Sequence, residues 1–393
     1  MRSLEKLIRE NERVFAEHFG GNPACTSTAP GRINIIGEHT DYTMGLAMPA
    51  AIDRWILVSI APRRDRICRI VSRDFHSEMT FELGGEFIPS ENWQAYVFGA
   101  ASVAHDLSEL PTGFQGVISG NIPVGSGLSS SGALEVALMN GIRSVFSLDF
   151  DDLTLIRLCQ RVEHEFIDVQ SGLLDQFASQ FSRDDELVVI DFDTLTFEHF
   201  EADMGEYRWI VLDTGVKREI AQTEYMERVR ECERGLSELQ ESGFPLSGFR
   251  DITGDHLSYL TGKTQKRIRH FLNENSRVLK VRQLILEKDF GGVGALLAES
   301  HRSLREDYEV SCDELDFLVE KALDHSDCAG GRMMGGGFGG CTLNLVRNSA
   351  IGQFMENLKE QFYVRFSQEP KSYVFNLVSG ARVWWNSQAD ERH

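Results

Sequence analysis

The stretch GRINIIGEHTDY, residues 31–42, sets charged side chains beside the apolar run INII. Its ionisable side chains are those of Arg32, Glu38, His39 and Asp41. This mixture is too polar for an ordinary core segment and too apolar for a mobile loop. The stretch therefore indicates charged groups that are held in place for a purpose.

The composition indicates a two-domain protein without nucleic-acid or membrane partners. The chain has 393 residues, which is more than one compact core usually holds. Its formal net charge of −20 repels nucleic acids and anionic membranes, so an anionic substrate must be met by local positive groups or a metal ion. The seven cysteines are scattered without a Cys-x-x-Cys pair, and no stretch approaches the about 18 apolar residues of a membrane span. We therefore expect a reduced, cytoplasmic protein.

The order of apolar and polar runs predicts the elements and one domain boundary. After an amphipathic opening helix, RWILVSIAP, RICRIVSR and GFQGVISGNIP are typical of strands, and residues 151–169 have helical spacing of apolar side chains. A polar stretch near residues 194–206 separates two further apolar runs. We place the boundary there and predict domains of residues 1–198 and 199–393.

The segment IPVGSGLSSSGALEVAL, residues 122–138, is a glycine and serine loop that enters a helical pattern. Gly125 and Gly127 permit close backbone approach, and the N–H groups of a helix start favour an anion such as phosphate. The hydroxyls of Ser129–Ser131 can bond phosphate or ligate a metal. The alternative is a serine N-cap after a turn. The segment is neither a Walker P-loop nor a G-x-G-x-x-G motif.

A second glycine loop, MGGGFGGC at residues 334–341, precedes a strand-like run. A tight turn before a strand explains its glycines equally well on this segment alone. So glycine-rich a segment loses much conformational entropy when it is ordered. A close backbone neighbour is the usual reason for keeping such a loop ordered.

Together, these three stretches resemble the motifs of the GHMP kinase superfamily, in the same order. Within it, APGRINIIGEHTDY is similar to the diagnostic signature of the galactokinase family, and SGLLDQFAS, HRSLREDYEVSCDELD and RMMGGGFGGCT support the match. The resemblance implies two α+β domains: an N-terminal mixed-sheet domain with a left-handed βαβ crossover, and a C-terminal ferredoxin-like domain. The active site is expected in the cleft between them.

The resemblance also implies a reaction, in which ATP phosphorylates the C1 hydroxyl of galactose to give galactose 1-phosphate and ADP. Magnesium is the expected cofactor, and galactose and ATP are the expected partners of a monomer. Two departures, YTMGLAMP and VQSGLLDQ, alter the wall of the sugar pocket. The alternatives are therefore a kinase for N-acetylgalactosamine or L-arabinose, and a galactose sensor without turnover.

Site residues are carried over from the motifs one by one. Glu38, His39 and Asp41 are expected to hydrogen-bond the sugar hydroxyls, because charged partners make the stronger hydrogen bonds. Two further positions match sugar-contacting residues of the family, namely Gly172 and Tyr225.

The expected catalytic pair is Asp175 and Arg32. A carboxylate beside an arginine is a weak base, so Asp175 is expected to orient the hydroxyl and to accept its proton late. Arg32 is always protonated and offsets charge on the transferring phosphoryl group. Early proton abstraction by Asp175 is the alternative.

The ATP site is expected in the serine loop, with Trp93 and Tyr96 near the adenine. The loop residues are Gly125, Ser126, Gly127, Leu128, Ser129, Ser130 and Ser131. Magnesium is expected on Ser131 and Glu163. Taken alone, Glu163 reads as a solvated helix carboxylate, and Trp93 and Tyr96 read equally well as a core-facing helix surface.

Overall fold

A computed structural model describes residues 3–123, 125–216 and 221–386, and its strands form two separate sheets. The first sheet has eight strands. They are β1 (Cys25–Ile36), β2 (Leu46–Pro62), β3 (Ile67–Ser72), β4 (Ser77–Glu82), β5 (Phe114–Gly120), β6 (Glu186–Asp191), β7 (Thr196–Glu201) and, from the far end of the chain, β12 (Arg382–Trp385).

The first sheet is mixed. Its order is β12-β1-β2-β5-β3-β4, with β6 joined to β2 and β7 to β6. Among the described pairs only β3 and β5 are parallel, and the chain between them carries a helix, α2 (Asn92–Ser108). The same connection also contains β4, so the left-handed βαβ crossover that the resemblance implies stays a prediction.

Further helices accompany the first sheet, namely α1 (Leu4–Phe19), α3 (Ser130–Val145), α4 (Asp152–Val162) and α5 (Leu174–Phe181). The opening helix is confirmed, and it buries Leu7, Ile8 and Phe15. The helix predicted over residues 151–169 is confirmed from Asp152 to Ile167, but its geometry changes on the way: α4 ends at Val162 and passes directly into a π-helical turn, Glu163–Ile167. Such wide turns are frequent at functional sites, and this one carries the buried Glu163.

The second sheet is antiparallel throughout, in the order β11-β8-β10-β9. Its strands are β8 (Tyr207–Asp213), β9 (Cys328–Met334), β10 (Cys341–Arg347) and β11 (Lys371–Val374). Between β8 and β9 lie α6 (Ala221–Glu241), α7 (Gly262–Leu286), α8 (Phe290–Glu306) and α9 (Asp313–Leu323), and α10 (Ile351–Phe366) connects β10 to β11. A β-α-β-β-α-β order with the fourth strand beside the first is ferredoxin-like, which confirms that expectation.

The predicted domain boundary at 198/199 does not coincide with the change from one sheet to the other. Position 198/199 lies inside β7, and the change from the first sheet to the second comes between β7 and β8. The last described strand, β12, returns to pair with β1. The boundary at 198/199 therefore stays a prediction.

One buried apolar cluster connects the two sheets and fixes the cleft between them. It contains Ile35 of β1, Val211 of β8 and Leu343 of β10, all fully buried. On the first sheet, α3 packs against β1 and β2, which brings the serine loop to the end of β1. No helix within the described ranges is both long and apolar enough to cross a bilayer.

Candidate active site

A cavity of about 360 Å³ lies between the two sheets and collects most of the predicted site residues. The stretch that follows β1, the start of α3, the π-helical turn, the start of α5 and the second glycine loop all contribute to its wall. The predicted residues that line it are Arg32, Glu38, His39, Asp41, Tyr96, Ser131, Glu163, Gly172, Asp175 and Tyr225.

The predicted catalytic pair is in contact. Nη2 of Arg32 lies 2.8 Å from Oδ1 of Asp175, in the first turn of α5. Nη1 of the same guanidinium donates to the carbonyl of Gly127 at 2.5 Å. Arg32 is buried, whereas about a third of the Asp175 side chain is exposed in the cavity. One arginine thus ties the serine loop to the carboxylate.

Glu38 is held by an arginine that the motif comparison did not point to. Nη2 of Arg332 lies 2.6 Å from Oε2 of Glu38, and both side chains are buried. Arg332 also donates to the carbonyls of Asn34 and Ile35, and the amide of Asn34 donates to Glu38 at 3.2 Å. The only sequence signal was an arginine just ahead of the second glycine loop. Its five donors fix the end of β1 and the carboxylate together.

His39 has a left-handed backbone, with φ of 61°. Its Nδ1 lies 3.0 Å from the hydroxyl of Tyr42, while the buried Nε2 has no hydrogen-bond partner among the described residues. The rings of Tyr308 and Tyr225 stand 4.9 and 5.6 Å away. Burial, followed by nearby positive groups, lowers the pKa of His39 to about 3. The ring is therefore neutral at physiological pH.

Asp41 and Gly172 depend on each other. A Cβ on residue 172 would lie 2.1 Å from Oδ2 of Asp41, so only glycine leaves room for the carboxylate. Removal from water, followed by the charge of Asp175, raises the pKa of Asp41 to about 6. The ionised carboxylate of Asp41 therefore destabilises the ligand-free protein at neutral pH.

The serine loop does not use its serine as a conventional cap. Ser129 occupies the N-cap position of α3 with φ of 61°, but its side chain makes no capping hydrogen bond. Its buried Oγ has no partner among the residues described. The backbone N–H groups of the first helical turn, which reaches the cavity at Ser131, therefore lack a side-chain cap and remain available to an anion.

The two glycine loops lie against each other. A Cβ on Gly335 would stand 3.6 Å from the carbonyl of Gly127, and Gly335 and Gly336 line the cavity. Behind them, the thiol of Cys341 donates to the carbonyl of Ser126 at 2.5 Å. The close backbone neighbour expected of the second loop is thus the first loop.

Glu163 belongs to a buried carboxylate network at the rear of the cavity. The Ser171 hydroxyl donates to it, and the amide of Gln176 donates to Oε2 of Glu163 at 3.0 Å and to Oε2 of Glu135 at 2.8 Å. Burial is the main cause that raises the pKa of Glu163 to about 7. The interpretation of Glu163 as a solvated carboxylate is therefore wrong. Glu135 and Gln176 are further side chains that sequence reasoning missed.

The oxygen donors present suit magnesium. Ser131 and Glu163 offer a hydroxyl and a carboxylate on one cavity wall, and Mg²⁺ prefers such ligands together with phosphates and water. Within the described ranges, no group of three or more histidine, cysteine, aspartate or glutamate residues could hold a metal by itself. An ion here would therefore take most of its ligands from phosphate and water.

Of the two aromatic residues predicted near the adenine, only one lines the cavity. Tyr96 lines the cavity. Trp93 does not: it is buried in the core, and its indole N–H donates to Glu91 at 2.8 Å. Its predicted role beside the adenine stays a prediction.

Family descriptions match three parts of the chain. Residues 13–62 match the galactokinase galactose-binding signature, residues 95–183 the GHMP kinases N-terminal domain and residues 281–364 the GHMP kinases C-terminal domain. A galactokinase of Thermotoga maritima is 38% identical over 340 residues, which cover 86% of this chain and 94% of that protein. A galactokinase of Bacillus subtilis is 33% identical over 389 residues, which cover 96% of this chain and 99% of that one.

Solved structures give the same result for the fold. The crystal structure of Lactococcus lactis galactokinase complexed with galactose has a TM-score of 0.90 at 31% identity, covering 96% of this chain and 99% of that one. The Methanococcus jannaschii mevalonate kinase has a TM-score of 0.63 at 17% identity, covering 90% and 98%, which is a likeness of fold alone. The predicted two-domain α+β fold is confirmed.

Proposed function

The chain belongs to the galactokinase family within the GHMP kinases and phosphorylates galactose with ATP; we propose that the cleft carries out this transfer with Arg32 and Asp175 at the reacting atoms. The observation that carries the proposal is the contact between these two side chains in the same cavity as Glu38, His39 and Asp41. Phosphoryl transfer to a sugar hydroxyl requires groups that hold the sugar in place, here Glu38, His39 and Asp41 (the sugar clamp). It also requires charged groups beside the reacting hydroxyl, here Arg32 and Asp175.

Asp175 orients the C1 hydroxyl and takes its proton. The ion pair uses Oδ1, which leaves Oδ2 to accept a hydrogen bond from the hydroxyl. A carboxylate is a weak base toward an alcohol, because the ordinary pKa of an aspartic acid is about 3.9. Proton transfer therefore follows the onset of bonding between the oxygen and phosphorus, which makes the hydroxyl acidic.

Arg32 keeps its charge throughout, since a guanidinium is not deprotonated in proteins. It holds the carboxylate in place and offsets negative charge on the transferring group. Its bond to the Gly127 carbonyl sets its distance from the serine loop. That loop, Gly125–Ser131, and the uncapped start of α3 bind the phosphates.

Ser131 and Glu163 are the proposed magnesium ligands. When bound, Mg²⁺ neutralises charge on the β- and γ-phosphates. The Ser171 hydroxyl and the Gln176 amide keep the Glu163 carboxylate facing the cavity.

The sugar hydroxyls are bound by Glu38, His39 and Asp41. Gly172 leaves space for the Asp41 carboxylate, and Tyr225, whose ring centroid lies 5.6 Å from that of His39, contacts the sugar. We place the protein in a reducing compartment, the cytoplasm, as a monomer. The seven cysteines, all free, and the use of ATP support the compartment.

A panel of free sugars tests the proposal, with steady-state ADP release as the readout. Galactose is expected to exceed its C4 epimer glucose in kcat/KM by at least about a hundredfold, because a misplaced hydroxyl leaves a buried polar partner unpaired. Equal values for the two would overturn the galactose assignment. N-acetylgalactosamine or L-arabinose as the better substrate would favour the related-sugar reading, and galactose binding without ADP release would establish a sensor.

A further inference from the structure

Behind the sugar clamp, a hydrogen-bond chain connects His39 to the helices of the second domain. His39 Nδ1 lies 3.0 Å from the Tyr42 hydroxyl, which lies 2.7 Å from the Tyr308 hydroxyl. The Tyr308 hydroxyl lies 3.1 Å from the thiol of Cys232 on α6. Tyr308 and Cys232 are fully buried, so this part of the chain is shielded from water.

We propose that this chain fixes the tautomer of His39, with the proton on Nε2, and so makes His39 a hydrogen-bond donor to an oxygen of the sugar. Tyr42, Tyr308 and Cys232 are then positioning residues for galactose recognition. The inference rests on the proposed function, because it assigns a direction to one contact of the sugar clamp.

The first step is the direction of the chain. Each hydroxyl can donate to only one neighbour, so the whole chain runs either from Cys232 to His39 or from His39 to Cys232. The second direction would end on a thiol sulfur, which is a weak acceptor. The first direction ends on an imidazole nitrogen, a far better acceptor, which receives the phenol proton of Tyr42. The chemistry of the two ends therefore favours donation toward His39.

The second step is the protonation state of the ring. Burial is the main cause that lowers the pKa of His39, and the nearby His270 and the guanidiniums of Arg228 and Arg332 lower it further. A neutral imidazole carries one N–H donor and one acceptor nitrogen. If Nδ1 accepts from Tyr42, the proton resides on Nε2.

The third step is what Nε2 meets. It is buried and makes no hydrogen bond of regular geometry among the described residues, although the Gly336 main chain, which lines the same cavity, acts on the ring. A buried donor that is not fully satisfied is costly, and a ligand oxygen in the cavity would satisfy it. The carboxylate oxygens of Glu38, one of which lies 2.6 Å from Nη2 of Arg332, act as acceptors. The clamp therefore presents at least one donor and one acceptor, which matches the mixed character of a sugar hydroxyl.

The test is nitrogen NMR of the full chain with ¹⁵N-labelled histidine, without ligand and with galactose. His39→Gln identifies the resonances of His39 by their loss. In the wild type we expect Nε2 to show the shift and proton coupling of a protonated nitrogen and Nδ1 those of an unprotonated one. The opposite assignment overturns the proposal, and the decisive spectrum is that of the wild-type protein, since the variant serves only to assign its resonances.

Variants then test the hydrogen-bond chain from His39 to Cys232. Tyr42→Phe should mix the two tautomers and raise KM for galactose about five- to twentyfold, with kcat changed less than about threefold. Cys232→Ser, which keeps a donor, should preserve both the tautomer and KM, whereas Cys232→Ala should affect them. Tyr373→Phe removes a hydroxyl outside the chain and serves as the control. An unchanged tautomer in a folded Tyr42→Phe variant overturns the proposal.

Different results would overturn the proposed function and the tautomer assignment of His39. If the wild-type chain does not phosphorylate galactose, the proposed function fails whatever the NMR spectrum shows. If turnover is present and Nδ1 carries the proton in the ligand-free protein, only the tautomer assignment fails.

Discussion

Arg32 of β1 forms an ion pair with Asp175 in the first turn of α5, and the distance between Nη2 and Oδ1 is 2.8 Å. The two residues are far apart in sequence, and the serine loop meets them through the carbonyl of Gly127. The pair therefore connects the cavity wall to the serine loop.

Asp175→Asn should separate binding from chemistry. The amide keeps the shape of the side chain and its carbonyl oxygen still accepts a hydrogen bond, so galactose affinity should change less than about tenfold, or 1.4 kcal/mol. It cannot take a proton, and kcat should fall by about 10²–10⁴. The measurements are calorimetric galactose affinity and steady-state ADP release on one preparation.

Asp152→Asn is the matched control, because it breaks another arginine–aspartate pair, 2.8 Å long, outside the cavity. That variant should retain wild-type turnover. If Asp175→Asn kept more than about a tenth of kcat, proton acceptance at this carboxylate would contribute under about 1.4 kcal/mol. Asp175 would then be a binding residue alone.

Ser131→Ala should impair Mg-ATP use more than it lowers stability. If the hydroxyl ligates the ion, kcat/KM for Mg-ATP should fall at least about tenfold, while unfolding free energy should change by less than the about 1 kcal/mol of a lost N-cap, because the N-cap residue of α3 is Ser129. Ser102→Ala, which removes a hydroxyl that bonds within α2, is the control. A Ser131→Ala variant that melts earlier yet turns over normally would show that the serine acts on the helix only.

Arg332→Met tests the buried partner of Glu38. Breaking a buried ion pair from one side should lower the free energy of unfolding by about 3–5 kcal/mol, since the remaining carboxylate is left without its cation. The double variant Arg332→Met/Glu38→Gln should recover part of that loss. Urea titration of the wild type and the two variants measures it, and equal stability of the single and double variants would contradict the pairing.

The resemblance to the family motifs pointed to most of the predicted residues that line the cavity, because these motifs are short and local in the sequence. GRINIIGEHTDY holds four lining side chains within twelve residues, and GLLDQ adds the carboxylate. What spacing could not supply were partners from distant segments. Arg332, Tyr308 and Glu135 act through long-range packing, and a buried arginine next to glycines looks like any other arginine in a sequence.

The helix predicted over residues 151–169 shows the same limit. Its apolar spacing continues past Val162, but the wide turn at Glu163–Ile167 depends on what Glu163 meets in the folded protein. The Ser171 hydroxyl and the Gln176 amide supply those partners from the following loop and α5. Periodicity measures the face of a helix and carries no information about such a turn.

Asp41→Asn should make the ligand-free protein more stable, in a pH-dependent way. The pKa of Asp41 is raised from 3.8 to about 6 by removal from water and by the charge of Asp175. A raised pKa means that folding favours the protonated acid. Its contribution to stability is therefore complete below pH 3.8 and is lost as the pH rises through about 6.

At pH 8 the wild type carries the full cost of the ionised carboxylate, and Asp41→Asn should be more stable by about 1–3 kcal/mol. The difference should shrink toward zero near pH 4, where both side chains are neutral in the fold. Thermal unfolding of ligand-free protein at a series of pH values measures it, with the exposed Asp193→Asn as control. A stability gain that did not vary with pH would have another cause than this charge. Galactose affinity should fall in the same variant, because the proposed function makes the ionised carboxylate of Asp41 an acceptor for a sugar hydroxyl, and a charged acceptor makes the stronger hydrogen bond.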